Sequence, residues 1–297
     1  MLLDKGIHGR IRTAIFYMII FCLGLLCFLP LLNILAISFS SSTAVSANWV
    51  SFLPVDFTVA PYERILTDKQ FWRSFMISVT RVVLGLTLNL VLVVPMAYAM
   101  TRTKREFRAR NFYMKLLIFA MLFSGGMIPS YILVRNLKLL DTIWALVLPG
   151  ALPIFDVILL MNFFHGIPKS LEEAAIMDGA SPFKVLTSIM IPCAKPCLAT
   201  ITLFSVVGHW NSFMDGLIYI RKVENYPIMT YIKSLRIDMQ ALAQANASSN
   251  TLELAAKLSG ENFNAAKIIV SVIPLLVIYP LLQRYLIKGI VVGSVKE

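Results

Sequence analysis

Ser170-Leu-Glu-Glu-Ala-Ala-Ile-Met-Asp-Gly-Ala-Ser-Pro-Phe-Lys184, closed by Ile191-Pro192, is a polar interruption between two apolar stretches of the chain. Its residues spell two short helices joined by a turn. Ser170 is placed to cap the first helix, and Glu173, three residues on, completes a capping box. Gly179 lacks a Cβ and suits a left-handed C-terminal stop. Ser181 and Pro182 restart a helix as N-cap and first helical residue, and Pro192 ends it. The product is a bent element held at a membrane surface by the segments on either side. Such a shape suits docking on a separate protein better than chemistry.

The surroundings of this element are membrane. Of 297 residues, 58% are hydrophobic and 14% charged, against about 25% charged in ordinary soluble chains; mean hydropathy is +0.76. Apolar runs of about 20 residues, enough to cross a bilayer, are expected at 14–39, 74–100, 112–134, 142–164, 196–220 and 267–287. This gives an all-α integral membrane protein of six transmembrane helices in one domain, 14–297, after a short N-terminus, 1–13. Ala44-Val45-Ser46-Ala47 imitates a signal-peptidase site, but the preceding apolar run is too long for a signal peptide and reads as a retained span.

The net charge of +11 is a topological signal. Arg102, Lys104, Arg105, Arg108 and Arg110 crowd one short connection, while Lys169, Lys184 and Lys195 surround the bent element. Connections at 40–73, 135–141 and 221–266 are dilute in bases, and acids such as Asp56, Glu63 and Asp68 offset those present. By the positive-inside rule both termini and the loop 165–195 are cytoplasmic. No nucleic-acid partner is implied. The four cysteines lie in or beside apolar runs without accompanying histidines, so packing is expected and a metal site is not. His8, His165 and His209 are too dispersed for a metal or catalytic constellation.

The spacing Glu173-Ala174-Ala175-x-x-Asp178-Gly179-Ala180, with Ile191-Pro192 after a second helix, resembles the "EAA loop" of importer permeases driven by ATP-binding cassettes. Further stretches are similar to the maltose-type carbohydrate permeases: Ala97-Tyr98-Ala99-Met100-Thr101-Arg102, Gly125-Gly126-Met127-Ile128-Pro129, Leu140-Asp141-Thr142, Trp210-Asn211, and the ending through Lys288-Gly289 to Lys296. The double glycine resembles the subgroup importing oligosaccharides, alginate importers included.

The resemblance implies a type I importer permease fold in the bacterial inner membrane. Its ATPase-coupling loop would comprise Glu172, Glu173, Ala174, Ala175, Asp178, Gly179, Ala180, Pro182, Phe183 and Lys184. Implied partners are a second homologous permease, two ATPase subunits carrying ATP and Mg, an extracytoplasmic solute-binding protein and membrane lipid. The chain would hold no cofactor itself, and it has no G-x-x-x-x-G-K-[ST] sequence. The segment 221–266 would meet the binding protein; plain disorder is the alternative.

Polar residues inside apolar runs default to a functional hypothesis. Asp156, Trp210, Asn211 and Asp215 are candidates for the substrate path, with interhelical hydrogen bonding as the competing reading for Asp156 and Asn211. Arg81 and Asp215 are expected near the outer boundary. Pro149-Gly150 and Pro153 signal a discontinuous helix, lining a path or merely kinked for packing. The function expected is a permease subunit importing carbohydrate. Import of another solute by the same machinery remains open, as does an ion-coupled carrier, though no acidic pair across facing spans is evident. No catalytic constellation for a membrane enzyme can be assembled.

Overall fold

Apolar runs this long leave the backbone no partner but itself, and every regular element in the described residues is helical. The computed structural model describes residues 7–235 and 260–294. In chain order the helices are α1 (Ile7–Ser38), α2 (Ser42–Ser46), α3 (Ala60–Thr67), α4 (Lys69–Thr101), α5 (Arg110–Leu122), α6 (Met127–Asn136), α7 (Trp144–Val147), α8 (Ile154–His165), α9 (Lys169–Met177), α10 (Pro182–Val185), α11 (Ile191–Cys193), α12 (Lys195–Asn211), α13 (Met214–Tyr219), α14 (228–235) and α15 (Glu261–Ser294). Residues 236–259 of the segment 221–266 and the C-terminal Val295-Lys296 lie outside the described residues.

Among the described residues, three helices are uninterrupted and apolar enough to cross a membrane, in α1, α4 and α15; three more candidates are bent pairs. The expected span 112–134 is one of these, α5 and α6 meeting at 116°. Gly126 adopts φ +83, and Pro129 falls in the first turn of α6, where its missing N–H costs nothing. The Gly-Gly-x-x-Pro stretch is therefore a helix start, not the middle of a span. The expected span 142–164 bends by 46° between α7 with its 3-10 turn Leu148–Gly150 and α8. The expected span 196–220 is also divided, since α12 stops at Asn211, Ser212 is extended, and α13 begins at Met214.

The chain forms two compact units, Met1–Phe71 with Leu235–Val272, and Trp72–Ser234 with Ile273–Glu297. In the first, Pro61 sits in the opening turn of α3, and Tyr62, Ile65 and Leu66 follow at helical spacing. Ile65 is buried, while Leu66 is exposed. Phe39 stacks on Phe57 at 5.4 Å, the Ser38 and Tyr62 hydroxyls are 2.7 Å apart, and Asn262 donates to the Ser40 carbonyl at 3.0 Å. Lys267, buried on α15, pairs with Asp68 at 3.0 Å. Burial opposes ionisation of Asp68, but the Phe71 N–H and the lysine outweigh it and hold the carboxyl below its ordinary range.

The second unit is built on α4. Val93, Ala97, Tyr98 and Met100 pack with Val157, Leu160 and Phe164 of α8 and with Val185, Leu186, Met190, Cys197 and Ile201 from the α10–α12 region. A smaller cluster joins Val134, Ala145, Leu146, Tyr219 and Ile220. The beginning of the expected outward loop 221–266 belongs to this unit too. Ser78 accepts the Ile228 N–H at 2.8 Å, Thr230 donates to the Phe213 carbonyl at 3.1 Å, and α14 is largely buried.

Candidate functional site

The bent element exists, built differently at its start. α9 begins at Lys169 with Pro168 as N-cap and no side-chain cap. Ser170 is thus inside the first turn, and the capping box expected of Ser170 and Glu173 does not form. Pro168 pre-sets the turn and opens the helix two residues too early for it. The stop is as the sequence requires. Gly179 takes φ +77, its N–H reaches the Ile176 carbonyl, and the Ala180 N–H reaches that of Ala175, both at 2.9 Å. This double closure satisfies two orphan carbonyls and needs a residue without Cβ. Ser181 then caps α10 by accepting the Lys184 N–H at 3.3 Å, with Pro182 next. Beyond Leu186–Met190, a π-helical stretch, the chain bends by 82° between Cys193 and Lys195.

α9 presents two faces. Ala175 and Ala180 pack on the α4–α8 core. Glu172 turns inward as well and forms a bidentate ion pair with Arg102, one arm at 3.0 Å, and accepts from the Tyr98 hydroxyl at 3.2 Å. Burial alone would weaken the guanidinium's hold on its proton; the bonds to Glu172 more than reverse this and raise its affinity. Glu172 is therefore engaged within the chain, apart from the other residues of the motif. Glu173, Ala174, Asp178, Pro182 and Lys184 face outward. With them stand Leu171, Ile176, Met177 at 87% exposure and Phe183 at 74%. A patch of large apolar groups ringed by acids and a lysine is a protein-docking surface in composition.

Within the expected spans, α4 carries a stripe one helical turn apart: Arg81, Gly85 and Asn89. Asn89 and Arg81 each meet a break in another helix. Asn89 donates to the carbonyls of Gly150 and Ala151 at 3.1 and 2.8 Å, groups set free where α7 and α8 part. Its own oxygen accepts the Ser205 hydroxyl at 2.6 Å and lies 3.2 Å from His209 Nε2. A Cβ on Gly85 would run into the His209 ring. Arg81, 2% exposed, donates to the Ser212 carbonyl at 3.3 Å, where α12 ends, and pairs with Asp215. Arg81, buried, and Asp215, half-buried, form an ion pair at the α12–α13 break. The i, i+4, i+8 spacing of Arg81, Gly85 and Asn89 was the available signal.

The four path candidates do not converge on one surface. Trp210 is buried with its ring edge-to-face on Phe75, centroids 5.5 Å apart. Asn211, next to it, is exposed. Asp215 is held by Arg81, by the Ser212 hydroxyl at 2.8 Å and by the Gly216 N–H at 2.9 Å. Asp156 is buried in the first turn of α8. Among the described residues the Asp156 and Asn211 side chains make no hydrogen bond. Cys197 is in the core, but Cys22, Cys27 and Cys193 are exposed on this chain, so packing within the chain explains only one of the four.

Comparison with known proteins agrees with this geometry. Residues 6–292 match the family described as binding-protein-dependent transport system inner membrane component. The chain belongs to that family. It is 35% identical to Protein LplC of Bacillus subtilis (strain 168) over 97% of this chain and 96% of the relative. It is 34% identical to the polygalacturonan/rhamnogalacturonan transport system permease protein YtcP of the same organism, over 97% and 99%. A solved structure of a bacterial ABC transporter involved in import of the acidic polysaccharide alginate contains a chain that superposes with TM-score 0.83 at 33% identity, covering 95% of this chain and 98% of that one. The protein is thus a non-catalytic permease of the inner membrane, working with a solute-binding protein and an ATPase.

Proposed function

We propose that this chain is one of two homologous permeases of an ATP-driven carbohydrate importer, and that the α9–α10 hook receives the closing movement of its ATPase. The carrying observation is the two-faced hook. One side is tied to α4 through Glu172, and the other leaves Glu173, Asp178, Met177 and Phe183 free for a partner. Docking there would involve Glu173, Ala174, Asp178, Gly179, Pro182, Phe183 and Lys184, with Ala175 and Ala180 setting the hook's seat. ATP and Mg act on the ATPase subunits. Moving a two-state bundle from 1:99 to 99:1 takes about 5.5 kcal/mol, within reach of nucleotide binding and hydrolysis.

The substrate is read as an oligosaccharide of acidic sugars. Support comes from the polygalacturonan/rhamnogalacturonan and alginate systems among the relatives, with arabino-oligosaccharide permease AraQ of Halalkalibacterium halodurans, 26% identical, as a neutral counterpart. Asp156 and Asn211, whose side chains make no hydrogen bond among the described residues, are the path candidates; Trp210 and Asp215 support the helices around them. The hook and both termini are placed in the cytoplasm. The Arg102–Glu172 pair supports this, since it holds the hook to the Arg-rich connection after α4. Exposed α1 fits cover by lipid and by the second permease.

The test is Gly179→Pro or Glu173→Lys in the complete importer, reading binding-protein-stimulated ATPase and uptake of labelled acidic oligosaccharide. Both activities are expected to collapse. Wild-type levels of both would overturn the docking role, and uptake of neutral sugars alone would overturn the substrate class.

A further inference from the structure

Building on the coupling role above, we infer that Arg102 and Tyr98 are positioning residues, which make α4 the member through which movement of the hook reaches the helix breaks in the membrane. Three contacts meet at Glu172: the two arms of the Arg102 guanidinium and the Tyr98 hydroxyl at 3.2 Å. The guanidinium also lies 4.3 Å above the Tyr98 ring, and that ring packs edge-on against Phe164 of α8 at 6.4 Å. An apolar contact would hold α9 on α4 equally well. A bidentate fork fixes the direction of approach in addition, which transmitting a tilt requires.

The rest of the path lies on the same helix. Val93, Ala97 and Met100 are buried in the core, so this length of α4 moves with it. About 20 Å from Arg102, at 1.5 Å per residue, Asn89 grips the carbonyls of Gly150 and Ala151, and beyond it Arg81 grips Ser212 and Asp215. A displacement of Glu172 is thereby delivered to the two points where the bundle is discontinuous. A cavity of about 60 Å³ beside the clasp, bordered by Thr101, Phe164, His165, Lys169 and Met190, leaves room for the fork to tilt.

The experiment uses the complete importer in proteoliposomes and reads sugar taken up per ATP hydrolysed. For Arg102→Gln the ratio is expected to fall about tenfold, inside the range that coupling free energies span, while stimulated ATPase persists. Tyr98→Phe should fall less, because the ring remains under the guanidinium. The exchange Arg102→Glu with Glu172→Arg should recover most of the ratio. An unchanged ratio in Arg102→Gln, or proportionate loss of ATPase and uptake in every assembled variant, overturns the inference. If Glu173→Lys leaves both activities at wild-type levels, the docking role fails and this inference with it. An unchanged ratio in Arg102→Gln with Glu173→Lys inactive overturns this inference alone.

Discussion

Gly85 shows how narrowly the middle of the molecule is specified. A methyl there meets the His209 ring, and that ring sits against the Asn89 oxygen, which also takes the Ser205 hydroxyl. Gly85→Ala is expected to cost about 1–3 kcal/mol as overpacking, read as a lower thermal midpoint of the purified complex. Adding His209→Ala should return part of the loss; no return would mean the collision is not the cause. Asn89→Leu removes the donor to the Gly150 and Ala151 carbonyls. Its expected cost is about 1 kcal/mol, since polar contacts between membrane helices are individually modest. Uptake should suffer more than stability, because those carbonyls sit at the α7–α8 break. Equal losses in both would count against that role.

At the scale of single elements, the hook's turn was readable because its residues have backbone requirements of their own. Gly179 must take positive φ, and Ser181-Pro182 can only begin a helix. Nothing lies within 4 Å of a Cβ on Gly179, so Gly179→Ala pays only the left-handed backbone penalty, about 1–2 kcal/mol. Gly179→Asn should cost less, and circular dichroism of the melting complex would rank the two. The start of α9 misled because Ser170 and Glu173 also satisfy a capping pattern, and Pro168 takes precedence. The breaks at 123–126 and 212–213 were hidden by hydropathy, which scores composition and is blind to direction. The proline and glycines of the first were visible; the second depends on Arg81 and Asp215, distant in sequence. The polarity of the segment 221–266 conceals that its beginning is packed, with Ile228, Tyr231 and Ile232 buried.

The Asp68–Lys267 pair belongs to this scale as well, tying the α3–α4 corner to α15 within one unit. Asp68→Asn removes the carboxylate partner of a buried ammonium, at an expected cost of about 3–5 kcal/mol, and a further Lys267→Met should recover most of it. Because the folded carboxyl is held below its ordinary range, its contribution is complete above the unfolded value of about 3.9. It is lost as pH falls through the folded value. Stability of the wild type should therefore drop more steeply than that of the double variant in strongly acid solution, and parallel pH curves would deny the pair its role.

For the molecule as a whole, the separation of surfaces is the main result. α1 is exposed along its apolar length, α4 carries the polar stripe that holds broken helices, and the hook offers apolar groups at one end of the second unit. A permease with those features acts in the membrane with a solute-binding protein and an ATPase. The most direct measurement places a single cysteine at position 177, as Met177→Cys in a chain whose four native cysteines are replaced, and treats vesicles of known orientation with a membrane-impermeant thiol reagent. Labelling is expected only when the cytoplasmic face is outward, and it should be suppressed when the ATPase is assembled. Labelling from the opposite face, or undiminished labelling in the assembled complex, would contradict the account.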